Sequence, residues 1–405
     1  MANTTLTADI IAKESVRILD NELVMAKKVF RGYEEDFNKK VNGYEVGETI
    51  SIRKPTDYTV RDGAVATAQD TVEGKTSITV DKRKGVDFKF SAQELTLNIS
   101  ELSERSIKPA MIQLANQIDV DLHALASDVP SWVGTPGNLI DSFADFAKAP
   151  ERLDEYGVPQ DNRCAVLCPA DHWALVGSQT SLFNDTINKP AYREGQTGMV
   201  GGVDLYMSQN VATHTTGADV TGTVNQSIVT STITYAAVKD TNVQTITTAD
   251  VTLAAGDVIE IADVYAVNPV TKAKLSFKKQ FTVVSYTTNS VVISPAMIWT
   301  GPFQNVAVTT GVTDLNTKAI TSVQTASGVY RQNMVFHKNA FALVSVPLVS
   351  PPGAVDVGRR TYKGTSVRVI PVYDGINDTS MWRLDVLYGT KTVDPRLATR
   401  LSGSS

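Results

Sequence analysis

The stretch Ala254-Ala-Gly-Asp-Val-Ile-Glu-Ile-Ala-Asp-Val-Tyr-Ala-Val-Asn-Pro269 decides how this chain is read, together with Lys278-Lys-Gln-Phe-Thr-Val-Val-Ser285 and Val291-Val-Ile-Ser-Pro-Ala296. Short β runs at 251–253, 257–261, 280–286 and 290–294 are separated by turn residues and carry no helical period. That pattern predicts a small barrel or sandwich. Thr supplies 12 of the 40 residues 211–250, so the change of style begins before these strands, and the β pattern fades after Thr313. The segment 263–279, with Lys272, Lys274, Lys278 and Lys279, reads as a protruding or connecting loop.

The flanks read differently. Before the module, Ala12, Val16, Leu19, Leu23, Ala26 and Phe30 place one apolar stripe on a helix, with Thr7 or Asp9 as cap. This stripe fits a helix packed on its own core and an arm docked on another subunit equally well. Residues 44–90 turn to period two at Thr49-Ile-Ser-Ile-Arg53, Lys75-Thr-Ser-Ile-Thr-Val-Asp81 and Val86-Asp-Phe-Lys-Phe90. Between them, Pro55 to Gly74 offers no sustained apolar face. An isolated hairpin is marginal in water, so a long one needs a partner surface. Its charges are uneven: Lys82, Arg83 and Lys84 read as one turn, and Asp57, Asp62, Asp70 and Glu73 lie nearer the tip, with Arg53 and Lys54 at the base. These charges fit a solvated turn or salt bridges to another subunit.

Ser91-Ala-Gln-Glu94 is a capping-box signature for a short helix. The strongest helical period follows: Ile107, Met111, Leu114, Ile118, Leu122, Leu125 and Val129, over 23 residues, or about 34 Å. Pro109 suits its first turn, and Pro130 and Gly134 stop it. Gln113, Asn116, Gln117, Asp119 and Asp121 fill the remaining surface. Residues 141–157 predict a helix ending at Gly157. Ala165-Val-Leu-Cys168 then reads as a buried strand, and Pro169 opens another helix. After the module, Val335–Ser345, Ser366–Val372 and Ser380–Tyr388 read as strands. In the last, Trp382, Leu384, Val386 and Tyr388 form one apolar face against Met381, Arg383, Asp385 and Leu387. The simplest architecture is α+β: a discontinuous main domain interrupted by an inserted β domain.

Size and composition set the outer bounds. At 405 residues the chain suits two or three domains, and 42% hydrophobic with 20% charged residues is ordinary globular composition. A net charge of −5 argues against tight nucleic-acid binding, which needs clustered cations. The N-terminus has no basic region and no apolar core, which predicts no signal peptide. No apolar run is long enough to span a membrane. Cys164 and Cys168 sit in a strand pattern as buried small hydrophobes; with His172 as sole neighbour they make a poor zinc set.

Chemistry-bearing motifs are missing. His123, His172, His214 and His337 fall on different elements, and no metalloprotease, nucleophile-elbow or phosphate-loop motif occurs. Gly198-Met-Val-Gly-Gly202 reads as a turn. Asp119 and Asp121 stand two apart on a helix and point away from each other. The expectation is no catalytic residue, no metal and no cofactor.

Several segments, in order, resemble the coat (major capsid) proteins of tailed bacteriophages, specifically the short-tailed (podovirus) type with an inserted β-barrel. Ile107-Lys-Pro-Ala-Met-Ile-Gln-Leu-Ala-Asn-Gln-Ile-Asp-Val-Asp-Leu122 is similar to their long spine helix. Ala191-Tyr-Arg-Glu-Gly195, Gly201-Gly-Val-Asp204 and Ser208-Gln-Asn210 are similar to the stretch before the insertion, and the Ala-Gly-Asp, Val-Tyr-Ala-Val-Asn-Pro and Phe-Thr-Val-Val elements to the insertion itself.

The resemblance implies the HK97-like major capsid fold. Its parts would be an N-terminal arm (1–43), an extended β-hairpin loop (44–92), spine helix and peripheral domain (93–134), axial domain (135–232), inserted barrel (233–313), and a return to axial and peripheral domains (314–405). It implies self-assembly into pentamers and hexamers of an icosahedral head enclosing double-stranded DNA, with procapsid expansion. The implied partners are further copies of the chain, a scaffolding protein, a portal protein at one vertex, and packaged DNA by weak non-specific contact. No membrane is involved, and no isopeptide crosslink is expected. The location would be the virion capsid, assembled in the host bacterial cytoplasm. The candidate intersubunit residues are Arg53, Lys54, Asp57, Asp62, Asp70, Glu73, Lys82, Arg83, Lys84, Asp263, Lys272 and Lys274. A different class, a phage tail or adhesion β-module that binds glycans, would need exposed aromatic residues; Trp299 with Phe303 is the one hint of that.

Overall fold

The computed structural model describes residues 8–37, 40–41, 44–45, 48–65, 68–91, 106–179, 198–229, 233–351, 357–377 and 379–404. The short helix expected after Ser91 and the Ala191–Gly195 stretch lie outside them. The chain forms two compact units: Met1–Ile50 with Ser77–Leu122 and Phe341–Lys391, and Ser51–Thr76 with His123–Ala340 and Thr392–Ser405.

In the first unit the apolar stripe near the N-terminus forms the helix Ala8–Glu22. Ile11, Ala12, Val16 and Leu19 are buried, and the helix packs on the strands Gly358–Tyr362 and Thr365–Asp374. The stripe is therefore used within its own unit. Each fully buried Ile, Val or Leu contributes about 1.5–3 kcal/mol.

Those two strands belong to a five-stranded sheet with Phe341–Ser345, Thr379–Thr392 and Lys82–Ser91. Lys82, Arg83 and Lys84 thus begin a strand that runs antiparallel to Thr379–Tyr388; they do not form a turn. The charge run hid the alternation, because Lys82 and Lys84 are half-buried while Arg83 is exposed. The single-face reading of Ser380–Tyr388 also needs correction. Asp385 is buried along with Leu384, Val386 and Tyr388, because three arginines neutralise it.

The spine helix is α-helical over Lys108–His123 and tightens to a 3-10 turn over Ala124–Asp128 before Pro130. Asp119, expected on its surface, is 1% exposed. It accepts hydrogen bonds from the backbone N–H groups of Val24 (2.8 Å) and Ala26 (3.1 Å), donors that the turn after the first helix would otherwise leave unsatisfied. Asp121 points elsewhere and accepts from the Tyr388 hydroxyl at 2.7 Å.

The second unit holds a six-stranded sheet and a closed barrel. The sheet order is Trp132–Val133, Ala398–Leu401, Asn333–His337, Arg163–Leu167, Val203–Met207 and Met199–Val200. The helices Phe143–Glu155 and Pro169–Gln179 flank it, and Phe146, Leu153, Leu167, Leu175 and Val335 lie in its core. Ser142 caps the first of these helices by accepting from the Asp145 N–H. The run expected as one strand at 335–345 splits into Asn333–His337 and Phe341–Ser345, separated by a 3-10 turn over Lys338–Ala340.

The chain enters the barrel through Thr213–Thr215 and returns through Val329–Arg331, paired antiparallel with His214 opposite Tyr330. Six strands close the barrel in the order Lys274–Thr287, Ser290–Ser294, Gln244–Ala249, Thr221–Val224, Ala319–Ser322, Val258–Val267 and back to the first, with Val306–Val308 added to the last. The barrel sheet thus takes in strands on both sides of 233–313. Ile246, Ile259, Ile261, Phe281, Val291, Ile293 and Trp299 fill the interior.

The segment 263–279 is not a loop. It completes Val258–Val267 and begins Lys274–Thr287, with a tight turn between. Lys274 and Lys278 are exposed strand positions that alternate with half-buried Leu275 and Phe277, which is period two. The Asn268 side chain builds the turn by accepting from the Val270 and Thr271 N–H groups.

Candidate assembly surfaces

The strands Thr49–Arg53 and Lys75–Thr79 pair, and the described residues of 54–74 between them form no strand. Its cohesion is local. Gln69 accepts from the Thr59 N–H (2.9 Å) and donates back to the Thr59 carbonyl (2.6 Å). Tyr58 meets the Thr71 hydroxyl at 3.1 Å, and Arg61 donates to the Gly63 and Val65 carbonyls. None of this buries apolar area. Tyr58 is 55% exposed, Val60 99% and Val65 83%.

The base of this hairpin is fixed. The Lys75 N–H donates to Asp240 at 2.9 Å and Lys239 Nζ donates to the Glu73 carbonyl at 3.3 Å. These partners lie just after the short helix Tyr235–Val238. Gly74 is needed here, since a Cβ at this position would sit 2.5 Å from the Lys239 carbonyl oxygen. Tyr235 in turn stacks on Phe303 with ring centroids 3.5 Å apart. Phe303 is therefore occupied and Trp299 lies in the barrel core, so neither forms an open aromatic platform.

The candidate charges fall into four groups. Arg53 pairs with Glu73 across the hairpin at 3.2 Å; with side chains 84% and 47% exposed, the pair contributes about 0–1 kcal/mol. A second group is engaged within the chain. Lys82 reaches Asp121 (3.4 Å) and the Thr390 hydroxyl (3.0 Å), and Arg83 reaches Asp385 (2.9 Å). Lys318 holds Asp263 at 2.6 Å and keeps its carboxyl below the usual carboxylate range. Lys272 donates to the Pro302 carbonyl, with burial pressing its amine down, and Lys274 lies 3.7 Å over the Tyr265 ring.

Lys54 and Asp57 lie at the foot of the hairpin, where Lys54 faces Asp394 and Asp57 faces Lys272 and Arg396. In the fourth group, Asp62 and Asp70 are exposed and Lys84 is half-buried; none of the three forms an ion pair with a described residue.

Two buried polar centres escaped the sequence reading. Asp385 takes hydrogen bonds from Arg368 (2.5 Å), Arg83 (2.9 Å) and Arg383 (3.0 Å). Burial alone would raise its carboxyl, but the arginines hold it below its ordinary value. Arg400, fully buried, donates to the Gly256 carbonyl, Gln332 and the Ser127 carbonyl, each at 2.9 Å. It thereby ties the last strand to the barrel. Burial lowers its guanidinium to about 9. Arg-rich alternation in Arg359–Asp385 was the available signal for the first centre; a single Arg in an apolar strand gives none for the second.

Among the described residues, no group of three or more His, Cys, Asp or Glu side chains is placed to hold a metal, and no helix is long and apolar enough to cross a membrane.

Comparison with known proteins adds three findings. Residues 1–403 match the family model described as P22 coat protein, gene protein 5. A "Major capsid protein" of Acyrthosiphon pisum secondary endosymbiont phage 1 is 22% identical over 425 aligned positions, covering 98% of each chain. A solved structure from Mycobacterium phage Che8 matches 93% of this chain and 90% of its own, with a TM-score of 0.50 at 15% identity, a likeness of fold.

Proposed function

The chain belongs to the P22 coat protein family, and on that premise we propose how it builds a phage head. It is a structural major capsid protein with the HK97-like α+β fold and a closed inserted barrel. The proposed assembly consists of pentamers and hexamers in an icosahedral shell that encloses double-stranded DNA. A scaffolding protein, a portal at one vertex and a later expansion complete the scheme, with assembly in the host cytoplasm. No catalytic step is assigned to the chain.

The observation that carries this reading is the hairpin. Its base is held to its own chain by Asp240 and Lys239, while Tyr58, Val60 and Val65 stay uncovered. An apolar tip on a long polar stem gains nothing in isolation; covering it on another copy gives a heterologous contact, the kind that builds rings and shells. Segments 1–43, 44–92, 93–134, 135–232, 233–313 and 314–405 serve as arm, loop, spine, axial domain, insertion and return, as the resemblance implies. Asp62, Asp70 and Lys84 are the proposed charged contacts between subunits. Arg53 with Glu73, and Lys82, Arg83, Asp263, Lys272 and Lys274, act from within the subunit by holding their elements in place.

Replacing Tyr58, Val60 and Val65 together by Ser tests the reading. The expected product is a folded chain with unchanged circular dichroism that no longer forms shells or capsomers. Normal assembly of this triple variant would contradict it.

A further inference from the structure

The barrel strand Lys274–Thr287 places Phe277 and Lys279 two residues apart, on one face. That face meets the C-terminal end of the helix Phe143–Glu155. The Tyr156 and Phe277 rings contact edge to face with centroids 5.9 Å apart. Arg152 lies over Phe277, its guanidinium carbon 3.5 Å from the ring centroid, and Lys279 Nζ is 5.0 Å from the Tyr156 centroid. The turn at Asp394–Leu397 brings Arg396 and Asp394 within electrostatic range of Lys279.

Cations outnumber the anions available to them here. Lys279 is 5% exposed and has no hydrogen-bond acceptor or ion-pair partner among the described residues. Arg152 Nη1 is also buried and unpartnered. The nearby carboxylates are otherwise engaged or out of reach. Asp394 is gripped by Arg396 at 2.7 and 3.0 Å, and Glu155 stands 3.7 Å from Arg152 Nε, beyond hydrogen-bond distance. With Lys272 and Asp57, which also face Arg396, the cluster sets Arg152, Lys279, Arg396 and Lys272 against Glu155, Asp394 and Asp57, so the cations still exceed the acids. A buried charge is paired or it neutralises, and two orphan donors of one sign call for an acceptor of the other.

We propose that Lys279 Nζ and Arg152 Nη1 form a binding site for a small oxyanion of the phosphate class, walled by Tyr156 and Phe277, where the barrel strand meets the helix end. Guanidinium and ammonium donors supply charge-assisted hydrogen bonds of the kind phosphate accepts, and the aromatic walls strengthen them by excluding water. Burial, then the Arg396 and Arg152 charges, press the Lys279 amine down to about 7; a bound anion restores its protonated form. By tying the barrel strand to the helix, the anion stabilises the folded chain.

The test uses purified full-length chain, with thermal unfolding followed at constant ionic strength in chloride, in inorganic phosphate, and with a short DNA duplex of equal phosphate content. The site predicts a rise of about 2–4 °C in inorganic phosphate, growing with its concentration. The rise should be lost in Lys279→Met and largely kept in Lys279→Arg. If Lys279→Met does not fold, Arg152→Gln takes its place, with the same loss expected. No rise in the native chain, an equal rise in the variants, or a rise with duplex alone would each overturn the proposal.

Discussion

Gly85 lies directly opposite Asp385 in the antiparallel pair of Lys82–Ser91 with Thr379–Thr392, and the carboxylate fills the space a side chain at 85 would need. A Cβ on Gly85 would sit 2.7 Å from Asp385 Oδ1 and 2.8 Å from the Leu384 carbonyl oxygen. The glycine therefore makes room for the one acid that Arg83, Arg368 and Arg383 share. Gly85→Val should destabilise by about 1–3 kcal/mol through overpacking. Asp385→Asn, which leaves the arginines facing a neutral amide, should cost about 3–5 kcal/mol. Urea unfolding of the unassembled chain measures both; losses below about 0.5 kcal/mol would contradict the shared-acid account.

Two buried groups should pull the pH dependence of stability in opposite directions. Burial raises the Asp119 carboxyl from 3.8 to about 6, against hydrogen bonds from the Val24 and Ala26 N–H groups. Its folded value is raised, so its contribution is complete below pH 3.8 and lost as pH rises through about 6. Burial lowers His123 from 6.5 to about 4, so its contribution is complete above pH 6.5 and lost as pH falls through about 4. Each spans about 3 kcal/mol, and the slopes largely cancel. Asp119→Asn should leave stability rising with pH between those values. His123→Leu, which breaks no hydrogen bond because both ring nitrogens are unpartnered, should leave it falling. Unfolding midpoints across the window decide; slopes unchanged from the native chain would refute the assignment.

Gly74 tests the hairpin anchor. Gly74→Ala would press on the Lys239 carbonyl and the Tyr235 hydroxyl, loosening the contact that holds Glu73 and Lys75. Amide exchange over 54–74 should accelerate, with little change in the barrel strands. Unaltered exchange would mean that the base is not held at Gly74.

Arg400 tests the tie between the last strand and the barrel. Arg400→Met removes the donor to Gly256, Gln332, Ser127 and Thr282; the Ser127 carbonyl keeps the Thr282 hydroxyl, while the Gly256 carbonyl loses its Arg400 donor. The expected cost is about 3–5 kcal/mol, with proteolysis beginning at the linker strands Thr213–Thr215 and Val329–Arg331. A variant as stable and protease-resistant as the native chain would contradict that role.

Elements with one clean period were legible in the sequence. The four-three spacing of Ile107 to Leu122 gave the spine helix, and Thr49–Arg53 with Lys75–Thr79 gave the hairpin. Elements whose polar residues are buried were not. Asp119 and Asp385 read as surface because sequence shows a charge but not the distant donors that satisfy it, which lie 95 and 17 residues away at Val24 and Arg368. The lysines of 263–279 suggested a loop because their alternation with Leu275 and Phe277 is masked by charge. The candidate contacts divided for the same reason: whether Arg83 or Asp263 is spent inside the chain depends on Asp385 and Lys318, which no local pattern reveals.

The central claim is that this chain builds a shell. Negative-stain electron microscopy of the recombinant chain, alone and with any scaffolding protein encoded beside it, tests that most directly. Closed shells, or tubes of hexamers, are the predicted result. A uniformly monomeric protein under both conditions would contradict it.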